Sequence, residues 1–383
     1  MATVSGAGLE GIIAADSEIC YIDGDEGVLA YFGYSINTLA ENATFEEVIF
    51  LLWHGHLPTA TELAELKSLL VAHRELPAGV TAFLASVPQG RPMHVLRTAV
   101  SMLSISDDQS EVMTHEANLL KAAKLMAKTA TIVTSFNRLR NNEDVVAGDA
   151  SLSFAANFLY TLTGKRPDAV MEHAFDVALT LHADHELNAS TFASRVTAAT
   201  LSDIYSAATA GICALKGPLH GGANEDVIKY LLAAGTKEKA LEMVRERLAN
   251  KQKIAGFGHR VYKTIDPRAI HLAQLSKEIG ERTGHVDLYE TSTAIADYIK
   301  NAKNLNANVD FFSASTYYSL GIPVDLFTPI FAVSRMSGWT AHILEQYHNN
   351  RLIRPRADYK GKEVGQPWVA IEQRQLASAP LKA

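Results

Sequence analysis

From Thr44 onward the chain is a succession of helix-length segments, and this is what most limits the fold. Thr44 stands three residues before Glu47, the spacing of a capping box, and the apolar run Val48–Trp53 follows. Residues 59–75 place Leu63, Leu66, Leu69 and Leu70 on one helical face. Residues 115–140, 167–187, 190–215, 225–233, 237–250, 267–282, 288–303 and 328–349 read as further helices with few breakers. Gly and Pro cluster between them, as at Gly217-Pro218 and Gly321-Ile322-Pro323. Only residues 9–36 differ. There, short β-prone pieces (Gly11–Ala14, Ile19–Ile22, Val28–Tyr31) alternate with turns at Asp23-Gly24-Asp25 and Gly33. The expected fold is mainly α with a small N-terminal β ribbon. The segment beginning at Ala193 is rich in Ala, Ser and Gly, which suits either a buried central helix or a subunit interface.

Charge narrows the functional classes. The total is −7, yet residues 1–66 hold eleven carboxylates and no Lys or Arg, the first basic residue being Lys67. A mitochondrial transit peptide needs Arg, and a secretory signal needs a basic start and an apolar run, so neither is expected. A modest negative charge argues against nucleic-acid binding, which needs clustered cations. The longest apolar stretches, such as Val48–Trp53, fall far short of the ~20 residues that span a bilayer. Cys20 and Cys213 alone make no disulfide framework, which points to a reducing, cytoplasmic setting. A chain of 383 residues can bury a large core and divides most naturally into two domains.

Gly6-Ala7-Gly8-Leu9-Glu10-Gly11 matches a dinucleotide-binding fingerprint, which would suggest a nucleotide-binding oxidoreductase. That motif works only between a strand and a helix, whose N-terminus meets the pyrophosphate. Here only five residues precede it, and strand-like, acid-interrupted sequence follows. A flexible start to the ribbon accounts for it better.

Four other places hold polar groups that a helical core does not need. Gly217-Pro218-Leu219-His220-Gly221-Gly222-Ala223-Asn224 sets a histidine among glycines that allow close ligand approach, with Asn224 as a candidate cap for the next helix. Lys253-Ile254-Ala255-Gly256-Phe257-Gly258-His259-Arg260-Val261-Tyr262-Lys263 joins a glycine-rich bend to a histidine and three cations. Asp266 and Pro267 suit the start of a helix, which puts Arg268 in its first turn, where the dipole disfavours a cation unless an anion binds there. Asn308-Val309-Asp310-Phe311-Phe312 places a carboxylate beside aromatics, where desolvation would raise its pKa towards a general base's; an exposed helix cap is the alternative. His185, Arg335 and Arg354 stand isolated in apolar surroundings. The order His182-x-x-His185-Glu186 fits no zinc-binding helix motif, so no metal is expected.

Together these segments resemble citrate synthase, in its short bacterial and archaeal form. The matches are DHELNAST around His185, GPLHGGAN around His220, GFGHRVYK followed by DPRA, NVDFFSA around Asp310, LFTPIFAVSRMSGW around Arg335 and RLIRPRADY around Arg354. The resemblance implies an acyltransferase of the tricarboxylic acid cycle that condenses acetyl-CoA with oxaloacetate and hydrolyses citryl-CoA. It implies Asp310 as base, His220 as donor to the thioester oxygen and His259 as donor to the ketone of oxaloacetate. It implies a carboxylate cage of His185, Arg268, Arg335 and Arg354, the last from the partner subunit of a homodimer. Lys253, Ile254, Ala255, Gly256 and Phe257 would lie against CoA, with Arg260 and Lys263 near its phosphates. No metal or redox cofactor is implied, since acetyl-CoA is a substrate. The implied fold has a large helical domain, 1–221 and 322–383, and a small helical domain, 222–321, that closes over it. 2-Methylcitrate synthase, which uses propionyl-CoA, would carry the same residues. All of these positions lie after residue 180, so the acidic first 66 residues are expected to contribute nothing to the site.

Overall fold

The computed structural model describes residues 7–9 and 11–374. The described residues hold sixteen α-helices, four short 3-10 helices and one three-stranded sheet, which is the mainly α architecture expected. The ribbon consists of Cys20–Asp23, Val28–Tyr31 and Tyr34–Ser35, antiparallel in sequence order, with Cys20 opposite Tyr31 and Asp23 opposite Val28. Tyr31 is fully buried, and its hydroxyl meets the carbonyls of Thr180 and Asp184, which pins the ribbon to the helical body. Gly11–Ala14 form no strand, contrary to expectation. Gly6 and Glu10 of the fingerprint lie outside the described residues. Ile12–Ser17 are neither strand nor helix, so no helix follows that motif to receive a phosphate.

Local hydrogen bonds set the helix starts. Both halves of the capping box form at Thr44–Glu47, and again at Thr59–Glu62. Asp266 caps Pro267–Thr283 with Pro267 in the first turn, as the sequence predicts. Asn224 does not cap its helix. Ala223–Ala234 starts from Gly222 without a side-chain cap, and Asn224 is buried inside the first turn. The segment 190–215 is two helices, Ala189–Ala198 and Ile204–Leu215. Leu201 takes a left-handed φ of 63° at the break, and Asp203 caps the second helix. These two helices pack closely on each other, burying Ala198, Ala207, Ala208 and Gly211 within one chain.

The central element is Phe327–His348, buried on every side over most of its length. It packs against His115–Arg140, Ala189–Ala198, Ile204–Leu215 and Phe45–His54. Its closest approach is at Gly338, where an added Cβ would stand 2.3 Å from the Ala183 carbonyl oxygen and 2.5 Å from Asp184 Oδ1. Gly338→Ala is therefore expected to lower stability by about 1–3 kcal/mol, measured as a shift in the urea midpoint, because neither neighbour can retreat. A second group of helices, Ala223–Ala234, Lys237–Ala249, Pro267–Thr283, Val286–Lys303 and Val309–Ser319, packs mainly upon itself.

Candidate active site

The two helical groups meet at a cleft of about 690 Å³, lined by His185, His220, His259, Arg268, Asp310 and Arg335 among others. These residues come from six separate places in the chain.

His259 sits in the bend before Pro267–Thr283. Its Nδ1 accepts from the backbone N–H groups of Val261 (3.0 Å) and Tyr262 (3.1 Å). An acceptor on that side leaves the ring proton on Nε2. His220 is fixed the opposite way. Its Nε2 is 3.3 Å from the Ser190 amide, which can only donate, and 2.8 Å from Ser190 Oγ. Its proton therefore resides on Nδ1. Burial pushes both imidazoles down to about 4, helped by Arg335 for His220 and by Arg268 for His259. Both are thus neutral rings that keep one N–H free.

Asp310 occupies the first turn of Val309–Ser319, whose cap is Asn308 and not Asp310. Asn308 Oδ1 accepts from the Asp310 amide (3.0 Å), and its Nδ2 donates to the Gly258 carbonyl (2.9 Å), tying this helix to the histidine bend. The Asp310 carboxylate is left without help: Oδ1 is shielded from solvent and has no hydrogen-bond partner. Burial, assisted by Asp266, raises its pKa to about 7, against the pull of Arg268 and Arg335. The exposed-cap alternative is thereby overturned.

Two buried guanidiniums supply positive charge. Arg268 donates from Nε (2.9 Å) and Nη2 (2.8 Å) to Asp266, whose Oδ2 also accepts from the Val309 amide (3.1 Å). Asp266 so orients Arg268 and joins the starts of two helices. Arg335 donates from Nε to the His182 carbonyl (2.7 Å), and its guanidinium stands 4.8 Å from the Phe331 ring centre. Among the described residues, Arg268 Nη1 and both Nη atoms of Arg335 make no hydrogen bond. That leaves planar donors available for an anion. His185 is buried, with Nε2 3.2 Å from the Tyr262 hydroxyl and its ring 5.2 Å from that of His259. Burial, Arg268 and His259 hold its pKa well below the usual histidine range.

A second cleft, of about 750 Å³, shares His220 and Asp310 with the first. Lys253, Ile254, Ala255, Gly256 and Phe257 line it, together with Lys229 and Arg247, which the sequence reading missed. Arg260 lines the first cleft and is exposed. Two expected residues stand apart. Lys263 lines neither cleft and forms an ion pair with Asp25 of the ribbon turn (2.9 Å). Arg354 is exposed on the irregular segment after Phe327–His348, outside this chain's cleft. The expectation that residues 1–66 contribute nothing is wrong, because Ile22 lines the first cleft. Among the described residues, no group of three or more His, Cys, Asp or Glu could hold a metal ion.

Comparison with known proteins points to one family. A sequence model described as citrate synthase, C-terminal domain, matches residues 8–356. Citrate synthase 2 of Bacillus subtilis (strain 168) is 53% identical over 369 residues, covering 96% of this chain and 98% of that protein. A protein of Corynebacterium glutamicum named 2-methylcitrate synthase 2 is 41% identical, covering 93% of this chain and 94% of its own. Among solved structures, the ternary complex of Thermoplasma acidophilum citrate synthase with carboxymethyl coenzyme A and oxaloacetate has a TM-score of 0.91 at 33% identity, covering 96% of this chain and 98% of that one. Matches of this extent, over a cleft with this set of side chains, establish that the chain belongs to the citrate synthase family.

Proposed function

We propose that the protein is a citrate synthase, joining acetyl-CoA to oxaloacetate and hydrolysing the citryl thioester to citrate and CoA. The observation that carries this reading is the unpartnered Asp310 carboxylate, set in one cleft with two neutral imidazoles that each keep a free N–H. A thioester methyl is a very weak acid, so its base needs help at the oxygen where charge develops. Asp310 takes the methyl proton while His220 donates from Nδ1 to the thioester oxygen. The resulting enol or enolate carbon attacks the ketone carbon of oxaloacetate; the C=O π pair moves to the oxygen, which takes its proton from His259 Nε2, and solvent restores that proton to the ring. Water then cleaves the thioester and releases the CoA thiol.

His185, Arg268 and Arg335 hold the oxaloacetate carboxylates, guanidinium matching carboxylate in a planar fork. Arg354 completes the cage from a second copy in a homodimer. Its exposed segment supports this, since Leu352, Tyr359, Val364 and Trp368 are all exposed there and suit burial against another chain. In the second cleft, Ile254–Phe257 lie along CoA; Lys253, Lys229 and Arg247 there, and Arg260 at the first cleft, are the candidates for its phosphates. The ion pair to Asp25 removes Lys263 from that set. Helices between 222 and 321 act as a small domain closing on the remainder, which excludes water until the carbon–carbon bond has formed. The chemistry needs no metal or redox cofactor. No described helix is long and apolar enough to cross a membrane, and we place the enzyme in the cytoplasm.

The Corynebacterium relative keeps 2-methylcitrate synthase as the second reading, since one extra methylene in an apolar pocket discriminates by only ~1–3 kcal/mol. Steady-state rates with oxaloacetate should give a higher kcat/KM for acetyl-CoA than for propionyl-CoA. The reverse order would favour the second reading.

A further inference from the structure

The ribbon does more than pad the large helical body. Its turn, Gly24–Gly27, rests on the backbone of Val261–Ile265, immediately after His259. The Lys263 amide donates to the Gly24 carbonyl (2.8 Å), and Lys263 Nζ meets Asp25 Oδ1 (2.9 Å). A Cβ added at Gly24 would stand 2.1 Å from the Val261 carbonyl oxygen. One at Gly27 would come within 2.9 Å of the Ile265 carbonyl oxygen. Gly24 has a φ that any residue adopts, so its need for glycine comes from the loop lying against it. The contacted peptide units are those that matter for His259, because the Val261 and Tyr262 amides hold its Nδ1. Tyr262 also reaches His185, and Ile22, two residues before Gly24, lines the cleft itself. A second bridge, from Asn37 Oδ1 to His271 Nε2 (2.8 Å), runs from the helix after the ribbon to Pro267–Thr283.

We infer that the ribbon turn is a positioning element for the oxaloacetate side of the site, holding the Val261–Lys263 backbone so that His259 keeps its ring orientation and its Nε2 proton. This inference rests on the proposed citrate synthase reaction. The turn touches no reacting atom; it acts through His259 and the Tyr262–His185 contact. Displacing a catalytic group by about 1 Å can cost on the order of 10²-fold in rate, so a small push on this loop should be costly.

The test is Gly24→Ala in the full chain, with initial rates measured against each substrate and folding checked by thermal unfolding. kcat/KM for oxaloacetate is expected to fall about 10²-fold, while KM for acetyl-CoA, bound along the other cleft, stays within about twofold. A folded variant whose oxaloacetate kinetics match the parent's would overturn the inference, as would an equal loss of KM for both substrates. If Gly24→Ala does not fold, the exposed ion pair takes its place. Asp25→Lys should lower kcat/KM for oxaloacetate about 1.5- to 5-fold, and adding Lys263→Asp should restore it. No fall, or a fall that the charge swap does not recover, would equally overturn it. Absence of citrate formation by the parent would instead defeat the proposed reaction, which keeps the two failures distinct.

Discussion

Asp310→Asn is expected to lower kcat by about 10²–10⁴-fold while leaving the fold intact. The amide keeps the shape of the carboxylate but cannot accept a proton from the thioester methyl. Stability should move the other way, and the sign follows from linkage. The folded Asp310 pKa is raised to about 7, whereas an unfolded aspartate titrates near ~3.9. The folded state therefore binds the proton more tightly, and its contribution is fully present below ~3.9 and lost as pH rises to about 7. Asparagine removes that penalty. Urea titrations at pH 5 and pH 8 should show the variant gaining on the parent between the two. A variant that loses activity and also loses stability at pH 8 would mean that Asp310 serves packing, not proton transfer.

His220→Ala should lower kcat by about 10²–10³-fold, the usual effect of removing one donor from a developing oxyanion. In the proposed reaction Nδ1 is the nitrogen left to donate to the thioester oxygen, because Ser190 occupies Nε2. KM for oxaloacetate should change little, since Arg268, Arg335 and His185 remain. Ser190→Ala should be milder, because the backbone amide that fixes the tautomer is kept and only the hydroxyl is lost. Comparable losses in the two variants would show that the hydroxyl, not the amide, holds the ring. Unchanged turnover in His220→Ala would remove His220 from the mechanism.

Most of the site is legible in the sequence because its residues have no packing reason to be where they are. A histidine among glycines, an arginine in the first turn of a helix and a carboxylate beside two phenylalanines are each poor choices for a plain helical core. Helix starts at Thr44, Thr59 and Asp266 are legible because their hydrogen bonds span three residues or fewer. What escapes is long-range. Ile22 reads as an ordinary strand residue until the ribbon is seen against the cleft. The break at Leu201 lacks a glycine or proline to announce it, and the exposed Leu201 takes its left-handed φ without one. Asp266 reads as a helix cap, which it is, but its second oxygen also accepts from Arg268 Nη2 and from the Val309 amide of another helix. Lys263 reads as a phosphate-binding cation because its sequence neighbours face the cleft, whereas it faces Asp25. The acidic N-terminal segment likewise places a carboxylate, Asp25, on the lysine of the His259 loop.

The central claim is that a desolvated Asp310 is the base, working beside imidazoles that stay neutral. It is tested most directly by the pH dependence of citrate formation at low oxaloacetate, where kcat/KM reports groups of the free enzyme. With Asp310 near 7 and both His220 and His259 near 4, the account predicts a rate that rises about tenfold per pH unit from 5.5 towards 7 and then levels off. A rate that stays flat between pH 5.5 and 8.5 would contradict it.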